Sequence, residues 1–140
     1  MIARPRLAFP VILILLAAVL LGGCARQSQQ AGQNGADGID MTLTVMPDPP
    51  AVGQSRLEIT IRDEDGSAID GASLEIKGDM SHAGMKPVLA SVSGGTDGVY
   101  NVPFEWTMGG DWFVTVTATL PDGAITTKRF DLSVVGDMNM

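Results

Sequence analysis

Met80-Ser81-His82-Ala83-Gly84-Met85 places the only histidine of the chain between two thioethers. Thioether sulfur is a soft ligand and imidazole a borderline one, and copper heads the affinity order for nitrogen and sulfur donors, so the stretch points to a soft-metal site for copper(I). Met108, in a Met-Gly-Gly turn between two apolar runs, is a candidate for a third sulfur. The expected ligand set is Met80, His82, Met85 and Met108, and the expected cofactor is copper(I). Against it stands plain packing: methionine fills gaps in apolar cores, and a histidine in a loop is usually solvated. The rival expectation is a metal-free structural or interaction module whose methionines form an adhesive surface.

Other chemistries find little material. One histidine, one cysteine and no Gly-x-Ser-x-Gly elbow leave nothing from which to build a nucleophile, a base and its orienter, so no enzymatic activity is expected. No phosphate-cradling loop or dinucleotide fingerprint occurs. Asp63, Asp65 and Asp70 offer oxygen ligands suited to calcium, but their spacing is not that of an EF-hand loop, and an Asp-Gly turn accounts for them.

The N-terminus reads as a secretion signal over residues 1–23. Arg4 and Arg6 give a positive start, Leu7 to Leu21 are apolar apart from Pro10, and the run is too short for a retained spanning helix. It ends in Leu21-Gly22-Gly23-Cys24, which resembles the bacterial lipoprotein box. Cys24 is therefore the expected lipidation site, and the rest of the chain is expected outside the cytoplasm, held to the cell membrane or outer membrane by acyl chains.

Removing the signal would take two of the nine bases and none of the sixteen acids, leaving a side-chain balance of −9. No basic patch remains to release counterions from phosphate, so nucleic acid is not an expected partner. A copper donor or acceptor protein is. Residues 24–39, the lipidated cysteine and a Gln-, Gly- and Ala-rich stretch, read as a flexible tether with a reach of ~20 Å and a stretched limit near ~50 Å. A tail at 137–140 carries Met138 and Met140.

The elements that must position the ligands lie between, over residues 40–136. Cys24 is the only cysteine, so the domain must be held by its core. Apolar residues alternate with polar ones at period two: Leu57, Ile59 and Ile61; Ala72, Leu74 and Ile76; Tyr100, Val102, Phe104 and Trp106; Trp112, Val114, Val116 and Ala118; Phe130, Leu132 and Val134. This predicts seven strands at 40–46, 54–62, 71–77, 87–93, 98–106, 111–120 and 124–135. The fold class is all-β, an immunoglobulin-like sandwich of antiparallel strands. Pro103 cannot donate to a ladder, which places the fifth strand at an edge or a bulge. Trp106 and Trp112 alternate with their strand faces and are expected in the core, where they would also shield a site at the turn between them.

Strands that run up and down send alternate connections to opposite poles. Asp65-Gly66, Asp97-Gly98 and Asp122-Gly123 fall at one pole, as compact turns. Met46, then Met80, His82 and Met85, then Met108, and finally the tail fall at the other. Of the seven methionines after Met1, six gather there and Met41 does not. The tether enters strand one from the acidic pole, so the Met/His pole is expected to face away from the membrane.

Several motifs recur in an order that resembles the YtkA-like domain family, and is similar also to the extracytoplasmic part of FixH-type proteins. They are Pro47-Asp48-Pro49-Pro50-Ala51-Val52-Gly53, Asp63-Glu64-Asp65-Gly66 with Gly71-Ala72, Met80 to Met85, Gly98-Val99-Tyr100, and Met108-Gly109-Gly110-Asp111-Trp112. The resemblance covers about residues 41–135. It implies a small immunoglobulin-like envelope domain whose relatives sit beside copper handling and cytochrome oxidase assembly. The lipoprotein box stands where FixH-type proteins keep a membrane helix.

Overall fold

A computed structural model describes residues 38–82 and 84–136. Residues 1–37, which hold the expected signal, Cys24 and most of the expected tether, lie outside the described residues, as do Ala83 and residues 137–140. The compact unit Ala31–Met140 holds seven strands, and there is no helix among the described residues. They are β1 (Asp40–Met46), β2 (Gly53–Arg62), β3 (Ser73–Met80), β4 (Val88–Ser93), β5 (Val99–Trp106), β6 (Gly110–Thr119) and β7 (Ile125–Val134). All hydrogen-bonded strand neighbours are antiparallel, in a three-stranded sheet β1-β2-β5 and a four-stranded sheet β4-β3-β6-β7. The protein is an immunoglobulin-like sandwich, with β4 paired to β3 in the larger sheet.

The alternation read from the sequence is what the two sheets bury. Leu57, Ile59 and Ile61 of β2 face Leu74 and Ile76 of β3 and Val114 and Val116 of β6 within one apolar core. At one end of this core stand three rings: Phe104 and Trp106 lie 4.8 Å apart, and Trp106 meets Trp112 edge to face at 5.3 Å. The tilted and T-shaped arrangements are those that aromatic quadrupoles favour. Trp106 Nε1 donates to Ser55 Oγ at 2.9 Å, so the indole is buried without an orphaned donor.

β5 is an edge strand, bonded to β2 alone in its sheet, and that is where Pro103 is tolerated. β1 and β7 approach each other across the two sheets. Lys128 Nζ of β7 donates to the Met41 carbonyl of β1 at 2.6 Å, and Ala51 bridges to Val135 at the other end.

The third strand differs from expectation. It begins two residues later and runs three further, through Met80, because the alternation of Ala72, Leu74 and Ile76 continues through Gly78 to Met80. Gly78 disguises this. It occupies an inward position that the Phe104 ring fills, since a Cβ there would stand 2.5 Å from Phe104 Cζ.

Candidate functional site

Two sets of contacts show that alternate connections meet at opposite poles. At the acidic pole, the Gly98 amide donates to Asp70 Oδ1 at 2.6 Å, and the Gly94 amide to the Ala72 carbonyl at 3.3 Å. The β2–β3 and β4–β5 connections are thereby joined. Tyr100 Oη donates to the Ile69 carbonyl at 2.7 Å and accepts from the Ala72 amide at 3.0 Å, so one buried hydroxyl holds both sides of the β2–β3 connection. Asp63 Oδ1 accepts from the amides of Asp65 and Ser67, and Asp122 Oδ1 from that of Ala124. These are Asx-type turns in which the carboxylate closes its own loop. Among the described residues, no three histidine, cysteine, aspartate or glutamate side chains gather into a metal-holding group. Asp63 closes its own turn, through the amides of Asp65 and Ser67, and Asp70 joins two connections through the Gly98 amide.

At the opposite pole the β1–β2 connection, the β5–β6 connection and the exit of β7 meet. The Val52 amide donates to the Val135 carbonyl at 3.0 Å and the Val135 amide to the Pro50 carbonyl at 2.8 Å. Gly136 packs against Gly109, so closely that a Cβ on Gly109 would collide with the Gly136 backbone. Trp112 Nε1 donates to the Met108 carbonyl at 2.9 Å and fixes the β5–β6 connection to the core.

The four expected ligands occupy different depths of this pole. Met80 is a correction to the sequence reading: it is the last residue of β3, directly opposite Trp112 of β6, and only 4% exposed. Its methyl reaches the neighbouring strand, where a Cβ at Gly110 would stand 2.9 Å from Met80 Cε. His82, two residues further, is exposed at a bend. Met85 is half-buried and packs against the core from the β3–β4 connection. Met108 is 52% exposed. The fold thus brings Met80 and the Met108 turn together through Gly110 and Trp112, with His82 leading out of the same strand end. Met46, at the end of β1 and 46% exposed, and Val135, 41% exposed, stand in neighbouring connections.

Chemically the pole offers thioether sulfur and one imidazole, with the exposed carboxylates of Asp48 in the β1–β2 connection and Asp111 at the start of β6. Trp106 and Trp112 are core residues, as expected, and Trp112 backs the turn that presents Met108. The hydrogen bonds of Tyr100 and Asp70 were not signalled by the sequence, since neither residue belongs to a motif of fixed spacing.

An immunoglobulin-like sandwich with this ordered set of turns places the chain among small all-β domains. The sequence profile of the YtkA-like family matches residues 33–117, more than half of the chain, and the protein belongs to that family. No curated protein matches it. Among solved structures it is similar to superoxide reductase (neelaredoxin) from Ignicoccus hospitalis, at 8% identity and TM-score 0.49, covering 70% of this chain and 82% of that one. It is similar also to the PmoD soluble domain from Methylocystis sp., at 18% identity and TM-score 0.44, covering 71% and 93%. A third is the CARDB domain of PF1109 from Pyrococcus furiosus in complex with di-metal ions, at 19% identity and TM-score 0.35, covering 72% and 92%. With every TM-score below 0.5, what those proteins bind stays with them.

Proposed function

We propose that the protein is a non-enzymatic binding module, lipid-anchored through Cys24 outside the cytoplasm, that takes up copper(I) at its methionine- and histidine-bearing pole. The observation that carries this reading is the meeting of the β3 end, the Met108 turn and the β7 exit at one pole, through Met80 against Gly110, Trp112 on the Met108 carbonyl and Gly136 on Gly109. Thioethers and imidazole placed there form a low-coordinate soft site without a thiol. His82 and Met108 are the open donors. Met85 is half-buried, and the Met80 thioether, buried against Gly110 and Trp112, joins only when it is withdrawn from the core.

The chain enters β1 at the acidic pole, where a Cβ on Gly38 would lie 3.2 Å from Glu64 Oε2. On this reading the tether holds that pole toward the membrane and leaves the sulfur pole free to meet a copper donor or acceptor protein. Anaerobic titration of copper(I) into the 31–140 fragment, which carries every strand and the whole core, against a competing chelator tests the assignment. His82→Ala combined with Met85→Ala is expected to weaken binding; an unchanged affinity would overturn the site.

A second reading has its own observation. Met46, Met108 and Val135, three large apolar residues exposed at the same pole, suit a protein-binding surface that needs no ion. If the fragment takes up no copper(I), yet Met46→Lys with Met108→Lys abolishes cross-linking to an envelope protein, this reading replaces the first.

A further inference from the structure

We propose that β4 is a self-pairing edge: two copies of the chain join their β4 strands antiparallel about a two-fold axis at Ser91, so that the four-stranded sheet continues across both molecules. The copper(I) site is not involved. The sheet edges differ in how they are protected. β5 is blunted by Pro103, β7 carries Lys128, Arg129 and Asp131, and β1 is tied to β7 through Lys128 on the Met41 carbonyl. Such devices discourage an added strand. β4, Val88-Leu89-Ala90-Ser91-Val92-Ser93, has neither charge nor proline, and Leu89 is the most exposed large apolar residue among the described ones, at 73%.

The backbone fixes the register. β4 bonds to β3 alone. The Gly94 amide donates to the Ala72 carbonyl at 3.3 Å, and these two residues face each other one step beyond the Ser73–Ser93 pair. Bonding alternates along an antiparallel ladder, so Val92, Ala90 and Val88 also bond to β3, while the amides and carbonyls of Leu89, Ser91 and Ser93 point away from it. Among the described residues no backbone group bonds to that side. A two-fold axis at Ser91 sets Ser91 opposite its own copy and Leu89 opposite the partner's Ser93, so every outward residue pairs, with about six backbone hydrogen bonds. An axis at Ala90 would instead set Ser93 against the partner's Pro87, which has no N–H to give.

Charge favours the same pairing. Lys77 and Lys86 stand beside the entry of β4, with Asp79 at 3.5 Å from Lys77, and Glu75 and Asp97 stand toward its exit. Antiparallel joining sets the basic entry of each strand beside the acidic exit of the other, with an uncharged seam between. Glu75 and its copy are three strand spacings apart, about 14 Å, which exceeds the Debye length. The copies are turned end for end, and their sulfur poles lie at opposite ends of the pair. Contact along one edge is smaller than a standard interface, so the expected Kd is roughly 10–1,000 µM.

The test uses the 31–140 fragment, which contains no cysteine. Sedimentation over a concentration series is expected to show a monomer–dimer equilibrium. Ser91→Cys is expected to form a disulfide between copies on mild oxidation, because facing Cα atoms of a bonded pair lie about 5.5 Å apart. Ser93→Cys is not, since its own copy stands about 14 Å away along the strands. Ser91→Lys sets like charges face to face and is expected to weaken association about tenfold. Its monomer keeps the same unfolding temperature, because Glu75 lies opposite within the chain. A fragment still monomeric at about 1 mM would overturn the proposal. A disulfide forming through Ser93→Cys as fast as through Ser91→Cys would do so too. Binding of another envelope protein that Ser91→Lys abolishes, without any self-association, would give the edge to a foreign strand and likewise overturn self-pairing.

Discussion

The two poles of this sandwich are built from the same kind of connection and treat their side chains in opposite ways. At the acidic pole the carboxylates of Asp63, Asp70 and Asp122 and the hydroxyl of Tyr100 are spent on backbone amides and carbonyls, and the turns close on themselves. At the other pole the connections are held by backbone bonds, by glycine-to-glycine packing and by the Trp112 indole, and the distinctive side chains of His82 and Met108 are left facing solvent. The first pole is stabilised by its functional groups. The second is stabilised in spite of them, and a side chain released from structural duty is one that can bind something else.

That contrast predicts how single substitutions divide. The largest effect is expected inside the sulfur pole itself, at the one methionine that does have a structural duty: Met80→Ala removes a buried side chain that closes the core over Trp112, and should cost about 2–5 kcal/mol in urea unfolding of the 31–140 fragment. A cost near zero would mean that the pole is open to its full depth and that Met80 is a free ligand.

Next comes the acidic pole. Gly98 adopts φ 75° and a Cβ there would stand 2.6 Å from the Ile61 carbonyl oxygen, so Gly98→Ala combines backbone strain with a clash and should cost about 2–3 kcal/mol in the same measurement. Tyr100→Phe keeps the ring but strands the Ala72 amide and the Ile69 carbonyl, for about 1–3 kcal/mol. Double-mutant cycles of Tyr100→Phe with Asp70→Ala should show coupling, since both tie the β2–β3 connection to the neighbouring strand. Strict additivity would weaken the picture of one bonded unit.

The smallest effect on stability is expected at Met108. Its side chain is 52% exposed and lies outside the hydrophobic core, so Met108→Leu should change unfolding by no more than about 0.5 kcal/mol. On the copper(I) proposal, the same substitution should lower copper(I) affinity by at least about tenfold, since loss of even an outer partner of a metal ligand typically costs about 10–100-fold. Met80→Ala and Met108→Leu should thus rank in opposite orders by unfolding and by metal titration. Parallel rankings would erase the distinction between closing and binding methionines.

Much of this was legible before any coordinates. Period-two alternation in Leu57, Ile59 and Ile61 or in Trp112, Val114 and Val116 depends only on the geometry of a pleated strand with one face buried, and the seven strands fall within one to three residues of their expected ends. The pairing of connections with poles also followed, because antiparallel neighbours must turn at alternate ends. Pro103 announced an edge through its missing donor.

Depth was not legible. Whether a methionine fills a core or stands in solvent depends on what faces it across the sandwich, and that neighbour is distant in sequence. Phe104 fills the place of a side chain at Gly78, which interrupted the alternation and hid Met80 in an apparent loop. The bonds of Tyr100 to residues 69 and 72, of Lys128 to Met41 and of Trp112 to the Met108 carbonyl join strands or turns through single polar atoms, and no local spacing announces them. The sequence alone determined which residue types gather at each end, since alternation and chain direction are local properties. Only the tertiary structure decided which of them are occupied in holding the fold and which are free, because that is settled by contacts between segments far apart in the chain.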